Sequence, residues 1–479
     1  MVKKLSLTGS VRVLEPCAGD GVFVDALLNS GINLSLDAYE LNPQAGESLK
    51  AKYQFQENIN VICDDTLTSQ TLILLTNLGR GYDRIIGNPP YGAWQDFDKR
   101  KYLKKLFPNL YVKETYALFL YRCIELLRET GILVFIIPDT FLNLHRHAQL
   151  RKFILQTTCI KEICLFPSSF FPKVNFGYSN LCIITLEKCR DENKRTDNRF
   201  KVITNLKNVD ELAQSEHSSS FVFKQSDLQN NIDYALFIAH SDKVLRLINQ
   251  CQTRVGDVAD CVTGFYSGND KKFLRTLSAQ HKNAKNYETV HPTSVFRSSI
   301  TDEQRFNGID ASVCFVPIMK GGGLRYFKPD CWFMDWHVES VAHFKQDKKS
   351  RFQNSQFYFK RGVGVPMVSS SSISAALIDN QLFDQSIVGV FPKDARWLFY
   401  LLAFFNSPTC NQLIRTINPT TNNSANYIKK IPFIVPPEDI LTAINAAVEI
   451  ILFALKNHHE YPKNHEAEIN NLIKDLYGF

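Results

Sequence analysis

The residues in this sequence best suited to chemistry are Asn88-Pro89-Pro90-Tyr91. An asparagine side-chain oxygen and the carbonyl of the proline after it are two acceptors held close together. Between them they can take both hydrogens of a planar amine. That localises a lone pair otherwise spread into a ring, and turns a poor nucleophile toward an electrophile. The prolines lack an N–H and have a fixed φ, so such a loop is preorganised. Tyr91 adds an aromatic face on which a planar base would stack. A given string of this kind arises by chance in a chain of this length about once in a thousand cases. Alone, it implies that a planar amine or amide nitrogen is alkylated; the competing reading is a rigid turn without function.

The partner of such a loop is an electrophile, and an earlier segment offers a place for it. Pro16-Cys17-Ala18-Gly19-Asp20-Gly21 has two glycines and an acid, not the glycine pattern that cradles a pyrophosphate. That favours a cofactor with a cationic amino-acid end, and S-adenosylmethionine fits. Glu15 or a backbone carbonyl of the turn would meet its ammonium. Pro16 and Ala18 shape the turn, and Gly19 and Gly21 let the backbone approach closely. Glu40 stands near the spacing at which an acid caps ribose hydroxyls in nucleotide folds. Asp65 would accept from the adenine amino group, with its neighbour Asp64 as the alternative. Each of these residues alone has an ordinary explanation as a turn or a solvated strand end. Their succession at strand ends makes the case. The sulfonium is already a good leaving group, so alignment and amine polarisation are the main tasks left to the protein. A base in a duplex must leave the stack to be reached, which calls for a second aromatic. Phe171 is the choice over Phe170, although either could be core.

The elements that must position these residues follow from hydrophobic periodicity. Residues 1–190 alternate short apolar runs with amphipathic stretches, the pattern of a parallel sheet with crossover helices. Strands are expected at 11–15, 34–40, 60–63, 82–87, 131–137, 160–166 and 180–187, and helices at 22–28, 112–129 and 139–156. The fold class is α/β: a Rossmann-like, seven-stranded sheet of the class I S-adenosylmethionine-dependent methyltransferase type. A mixed α+β DNA-recognition domain is expected to follow it. Ligands of such sheets bind beyond the carboxyl ends of the strands, where Glu15, Glu40, Asp65 and Asn88 fall. The polar text from Arg190 to Ser220 reads as an exposed connection. The catalytic domain is placed at 1–225 and a target-recognition domain at 235–479. In the second half, Lys320-Gly321-Gly322-Gly323-Leu324-Arg325-Tyr326 and Phe357-Tyr358-Phe359-Lys360-Arg361 combine cations with glycines or aromatics. That suits phosphate contacts, with a solvated loop as the alternative. Phe404 to Pro408 and Ile417 to Thr420 are expected to anchor the domain, and the chain after Pro436 to be helical.

Composition narrows the class. The chain has 479 residues, 44% hydrophobic and 22% charged, with a net charge of +7. Two globular domains and a mild preference for a polyanion follow. Twelve cysteines without a Cys-x-x-Cys pair suggest reduced thiols rather than disulfides or zinc. His145 and His147, with no acid or cysteine set near them in sequence, are not expected to bind metal. No secretory signal or membrane-spanning stretch is visible, so a cytoplasmic location is expected.

The order of these segments resembles the gamma class of DNA N6-adenine methyltransferases, the TaqI-like group. The matching pieces are Val13 to Phe23, Tyr39-Glu40, Asp65-Thr66-Leu67 and Ile86 to Gly92. Phe170-Phe171-Pro172-Lys173-Val174 looks like that family's base-stacking loop, and the second half resembles its specificity domain. The resemblance implies methyl transfer from S-adenosylmethionine to N6 of a flipped adenine within a short site in double-stranded DNA. It also implies a cognate restriction endonuclease as partner; a monomer and no membrane association are expected. It further implies a cofactor-contacting segment before the first strand, where this sequence has ten residues. The competing readings are a protein glutamine methyltransferase, an RNA adenine methyltransferase, a restriction–modification fusion, and a catalytically weak DNA-binding specificity protein.

Overall fold

A computed structural model describes residues 1–92, 96–171, 180–213, 220–236, 242–278, 284–321, 325–369, 372–418 and 422–479. The chain forms two units, Met1–Ile238 and Ala239–Phe479.

The first unit is built on one sheet of nine strands: β1 (Val11–Glu15), β2 (Leu34–Tyr39), β3 (Ile59–Ile62), β4 (Tyr82–Gly87), β5 (Leu127–Pro138), β6 (Thr158–Pro167), β7 (Asn180–Lys188), β8 (Arg199–Ile203) and β9 (Ser220–Lys224). Their order across the sheet is β3-β2-β1-β4-β5-β7-β6-β8-β9. β1 lies parallel to both β2 and β4, β2 to β3, and β4 to β5. β7 is antiparallel to both its neighbours. Leu14, Leu36, Ile85, Val134 and Ile184 form part of its buried interior.

The seven expected strands are all present, and two more extend the edge. β8 lies within the text that reads as an exposed connection, and β9 begins at its end. Phe200, Val202 and Ile203 are buried while Arg199 is exposed, a short alternation hidden by charged flanks.

The helices of this unit are α1 (Val22–Leu28), α2 (Pro43–Tyr53), α3 (Gln70–Asn77), α4 (Phe97–Leu106), α5 (Thr115–Leu126), α6 (Ala148–Thr157) and α7 (Glu192–Asp197). α2 starts where it does because the Asn42 side chain accepts from the Gln44 and Ala45 N–H groups, with Pro43 at the first helical position. α5 ends three residues before the expected boundary, where the chain enters β5. The helix expected over 139–156 is two 3-10 turns, Asp139–Leu142 and His145–His147, followed by α6. Arg151 explains how that broken backbone is satisfied. Its guanidinium, fully buried, donates to the carbonyls of Phe141 at 2.6 Å, Leu144 at 2.9 Å and Asp233 at 2.8 Å.

The second unit holds two four-stranded sheets. One has the order β10 (Ala259–Thr263), β17 (Ile387–Pro392), β14 (Gly362–Pro366), β15 (Ala376–Ile378). The other has β11 (Leu274–Thr276), β13 (Trp332–Asp335), β12 (Phe315–Met319), β16 (Leu382–Phe383). Edge-on packing of Phe265 against Trp336, Phe344 and Tyr358 marks its core. The chain closes with helices Glu438–Lys456 and Lys463–Leu476.

The phosphate-contact expectation at 320–326 is corrected here, and that at 357–361 in its aromatics alone. Lys320 is held between Asp270 at 2.6 Å and Asp384 at 3.0 Å, and Arg325 pairs with Glu466 at 2.6 Å. Both cations are committed within the protein. Tyr358 and Phe359 are buried core residues, because their aromatic spacing serves the hydrophobic interior, whereas Lys360 and Arg361 stay exposed. The anchoring expectation for Asn406 has a clear basis. Its side chain accepts from the Ala375 N–H at 3.0 Å and donates to the Ala375 carbonyl at 2.9 Å.

Among the described residues no helix is long and apolar enough to cross a membrane. The twelve cysteines are free thiols.

Removing the Arg151 side chain strips three carbonyls of a buried cationic donor. Arg151→Ala is expected to lower the stability of the first unit by about 3 kcal/mol, read from its denaturant transition. A loss under about 1 kcal/mol would contradict this account of the 139–148 backbone.

Candidate active site

The carboxyl ends of β1, β2, β3 and β4 surround a cavity of about 600 Å³. The turn after β1 forms one wall through Pro16, Cys17 and Gly19, and the residues after β2 form another through Glu40 to Pro43. Asp64 to Leu67, after β3, continue it, and Asn88 and Pro90, after β4, close it with Lys99, Thr115 and Phe119.

Hydrogen bonds across strands hold these walls in register. Gly19 and Gly21 have φ of 53° and 77°, a region open to glycine and costly for other residues. A Cβ at Gly21 would lie 2.4 Å from the Tyr53 hydroxyl oxygen. The Ala18 N–H donates to the Tyr39 carbonyl at 2.8 Å. The Thr66 hydroxyl donates to the Pro16 carbonyl at 2.6 Å. Glu40 takes the Gly19 N–H on one oxygen and the Asn42 N–H on the other, both at 2.8 Å. Its carboxylate therefore both shapes the glycine turn and faces the cavity. Asp65 accepts from the Leu67 N–H at 3.0 Å and pairs with Lys99 at 2.9 Å. Asp64 also lines the cavity, and its side chain caps the Asp65 N–H.

Glu15 differs from the expectation. It is 1% exposed and does not line the cavity. One carboxyl oxygen accepts from the Val24 backbone, and Oε2 has no partner. Burial in this setting pushes the carboxyl up to about 9. Ala18 is buried and Gly21 also lies off the wall, whereas Pro16, Gly19, Glu40 and Asp65 are on it.

In the tetrapeptide, Asn88 and Pro90 are exposed and line the cavity, while Pro89 and Tyr91 are buried. The Tyr91 ring, read from sequence as an open stacking face, is 9% exposed. It packs edge-on against Tyr116 at 6.5 Å, and its hydroxyl approaches the Ile136 carbonyl at 3.5 Å. Burial raises its hydroxyl pKa above the ordinary tyrosine value. Phe171 is half-buried, edge-on to Phe166 at 6.2 Å, and Phe170 stacks on Phe166 at 5.9 Å. Pro172, Lys173 and Val174 lie outside the described residues.

Several wall residues were not singled out from sequence. Cys17, whose thiol burial pushes well above its usual pKa, sits against the Asn88 backbone N–H. Thr66, Lys99, Thr115 and Phe119 carry no signal beyond their neighbours. His145 and His147 do meet acids, supplied from far along the chain: Asp233 at 3.0 Å and Glu114 at 2.7 Å. His147, Glu114 and Tyr116 form a buried polar cluster beneath Tyr91. Among the described residues no group of side chains is arranged to hold a metal.

Residues 2–171 match the family model of the Eco57I restriction-modification methylase. The type II methyltransferase M.AccI of Acinetobacter calcoaceticus is 27% identical over 283 residues, covering 56% of this chain and 49% of that one. The type II methyltransferase M.HindII of Haemophilus influenzae is 28% identical over 294 residues, covering 57% and 52%. The chain thus spans about half the length of these two relatives. The adenine-specific methyltransferase PglX of Lacticaseibacillus casei is 20% identical over 435 residues, covering 86% of this chain and 33% of that one. Among solved structures, the DrdV–DNA complex aligns with TM-score 0.52 at 13% identity, covering 94% of this chain and 54% of that one. The ATP-dependent type ISP restriction-modification enzyme LlaBIII bound to DNA aligns at 0.51 and 12%, covering 92% and 37%. The first unit has the class I S-adenosylmethionine-dependent methyltransferase fold, and its residues 2–171 are similar to the Eco57I restriction-modification methylase family.

Proposed function

We propose that this chain transfers a methyl group from S-adenosylmethionine to N6 of an adenine flipped out of double-stranded DNA. In this reading it is the modification half of a restriction–modification system and acts with a cognate endonuclease. The observation that carries it is that Asn88 and Pro90 line the same cavity as Glu40 and Asp65. The DNA-bound DrdV and LlaBIII structures support DNA as substrate, and the name of PglX supports adenine.

The wall suits the cofactor chemically. Glu40 is an acceptor for ribose hydroxyls, and Asp65 for the adenine amino group once it parts from Lys99. The backbone of the turn, bare at Gly19, admits the amino-acid end. When bound, S-adenosylmethionine supplies an electrophilic methyl on a sulfonium. The protein then has to place and polarise the amine. The Asn88 side-chain oxygen and the Pro89 carbonyl accept its two hydrogens and direct the lone pair toward the cofactor side of the cavity. Pro90 rigidifies that loop. Tyr91 supports it from below through Tyr116, and Phe171 is the remaining aromatic for the flipped base. Glu15 acts from behind the wall, through the Val24 N–H at the start of α1.

Asn88→Ala is expected to cut tritiated methyl transfer into duplex DNA by at least a factor of about 100. Binding of S-adenosylmethionine and of DNA should stay within about twofold. Label entering protein or RNA but not DNA, in the unmodified chain, would overturn the reading.

Glu15 gives a pH prediction. Its native pKa of about 9 lies above the ordinary 4.5, so the folded state holds the proton more tightly than the unfolded chain. Stability therefore falls as pH rises from the ordinary value toward the native one. Glu15→Gln lacks this penalty and should stabilise the ligand-free protein at pH 8 by about 1–2 kcal/mol. The gain should vanish once the solution is acid enough to protonate the unfolded carboxyl. Equal melting temperatures at pH 8 would contradict the assignment.

A further inference from the structure

The catalytic cavity opens beside a helix whose outer face carries an unusual density of positive charge. α4, Phe97–Leu106, reads Phe-Asp-Lys-Arg-Lys-Tyr-Leu-Lys-Lys-Leu. It has five cations against the single carboxylate of Asp98, in a chain whose whole net charge is +7. Its orientation is defined at two points. Leu103 is fully buried, and Lys99 reaches inward to Asp65 at 2.9 Å, on the cavity wall shared with Asn88. At 3.6 residues per turn, the half of the helix turned away from Leu103 carries Phe97, Asp98, Lys101, Tyr102, Lys104 and Lys105. All six are exposed, Phe97 at 73%. None of the three lysines is paired with a carboxylate among the described residues.

A solvated surface helix places its aromatics inward and mixes the signs of its charges. This helix turns two aromatics and three lysines outward against the one carboxylate of Asp98, starting at the mouth of the cavity. We propose that the outer face of α4 binds the phosphate backbone of the duplex next to the flipped nucleotide, with Lys101, Lys104 and Lys105 as phosphate contacts and Phe97 packing beside them. The helix is about 15 Å long, so the three cations meet a run of phosphates leading away from Asn88. Such contacts carry no sequence information; they set the position of the strand relative to the catalytic loop. The first unit would thus hold the DNA next to the reacting base itself. This inference rests on the DNA-methylation reading above.

The test is a Lys101→Gln/Lys104→Gln/Lys105→Gln variant of the full chain, assayed against a short mixed-sequence duplex at several salt concentrations. Losing three phosphate contacts should flatten the slope of log affinity against log salt by about 2–3 and weaken binding at least about tenfold near physiological salt. In methyl transfer, KM for DNA should rise while kcat at saturating DNA and S-adenosylmethionine affinity stay within about twofold. Lys104→Glu alone, which leaves the buried anchors untouched, should show a smaller shift in the same direction. An unchanged salt slope and KM, with the parent chain still methylating DNA, would overturn this inference alone. Absence of DNA methylation by the parent chain would instead overturn the reading beneath it. A protein partner on this face would show as unchanged DNA binding in both variants, which also overturns the inference.

Discussion

The close approach of the end of β4 to the turn after β1 is the constraint on which the site depends. β1 pairs in parallel with β2 on one side and β4 on the other, so their carboxyl ends emerge side by side. At Gly87, the last residue of β4, a Cβ would come within 3.2 Å of Pro16 and 3.3 Å of Phe135. The absence of a side chain there lets the Asn88-Pro89-Pro90-Tyr91 loop start directly against the glycine turn. Thr66 ties the third strand end to the same proline through its hydroxyl. One residue, Pro16, is thus touched by two of the three other strand ends that build the cavity.

From that contact the rest of the chemistry is arranged outward. Glu40 stabilises the turn through the Gly19 N–H and still faces the cavity, so one carboxylate couples backbone shape to ligand chemistry. Asn88 stands exposed at the mouth, on a loop whose next residue is buried. Beneath it, Tyr91 leans on Tyr116, whose hydroxyl shares the Glu114 carboxylate with His147. Buried polar groups satisfied in this way rigidify their surroundings. The loop therefore rests on a fixed floor, which is what amine polarisation by two acceptors requires.

Much of this was legible in the sequence because the signals are local. Dense apolar runs identify the seven central strands, and motif residues at their ends mark the cavity: Pro16, Gly19, Glu40, Asp65, Asn88 and Pro90. What was not legible depends on contacts made across long stretches of chain. Lys320 and Arg325 look free beside their glycines, yet Asp270, Asp384 and Glu466 neutralise them in the fold. Phe200 and Val202 are too sparse within charged text to announce an edge strand. Glu15 looks like a wall residue, but its side chain turns behind the wall toward Val24. Tyr91 looks like a stacking platform because the tetrapeptide reveals its neighbours and not its rotamer. The charge of α4 is plain in the text; its direction is given only by the burial of Leu103 and the reach of Lys99.

The central claim is that Asn88 and Pro89 present the exocyclic amine of adenine to a methyl donor held by the neighbouring strand ends. It is tested most directly by incubating the full chain with duplex DNA and S-adenosylmethionine, digesting the DNA to nucleosides and identifying the methylated product by mass spectrometry. The account predicts N6-methyl-2′-deoxyadenosine as the methylated nucleoside. Methylation at a ring carbon of cytosine, or on guanine, would contradict it.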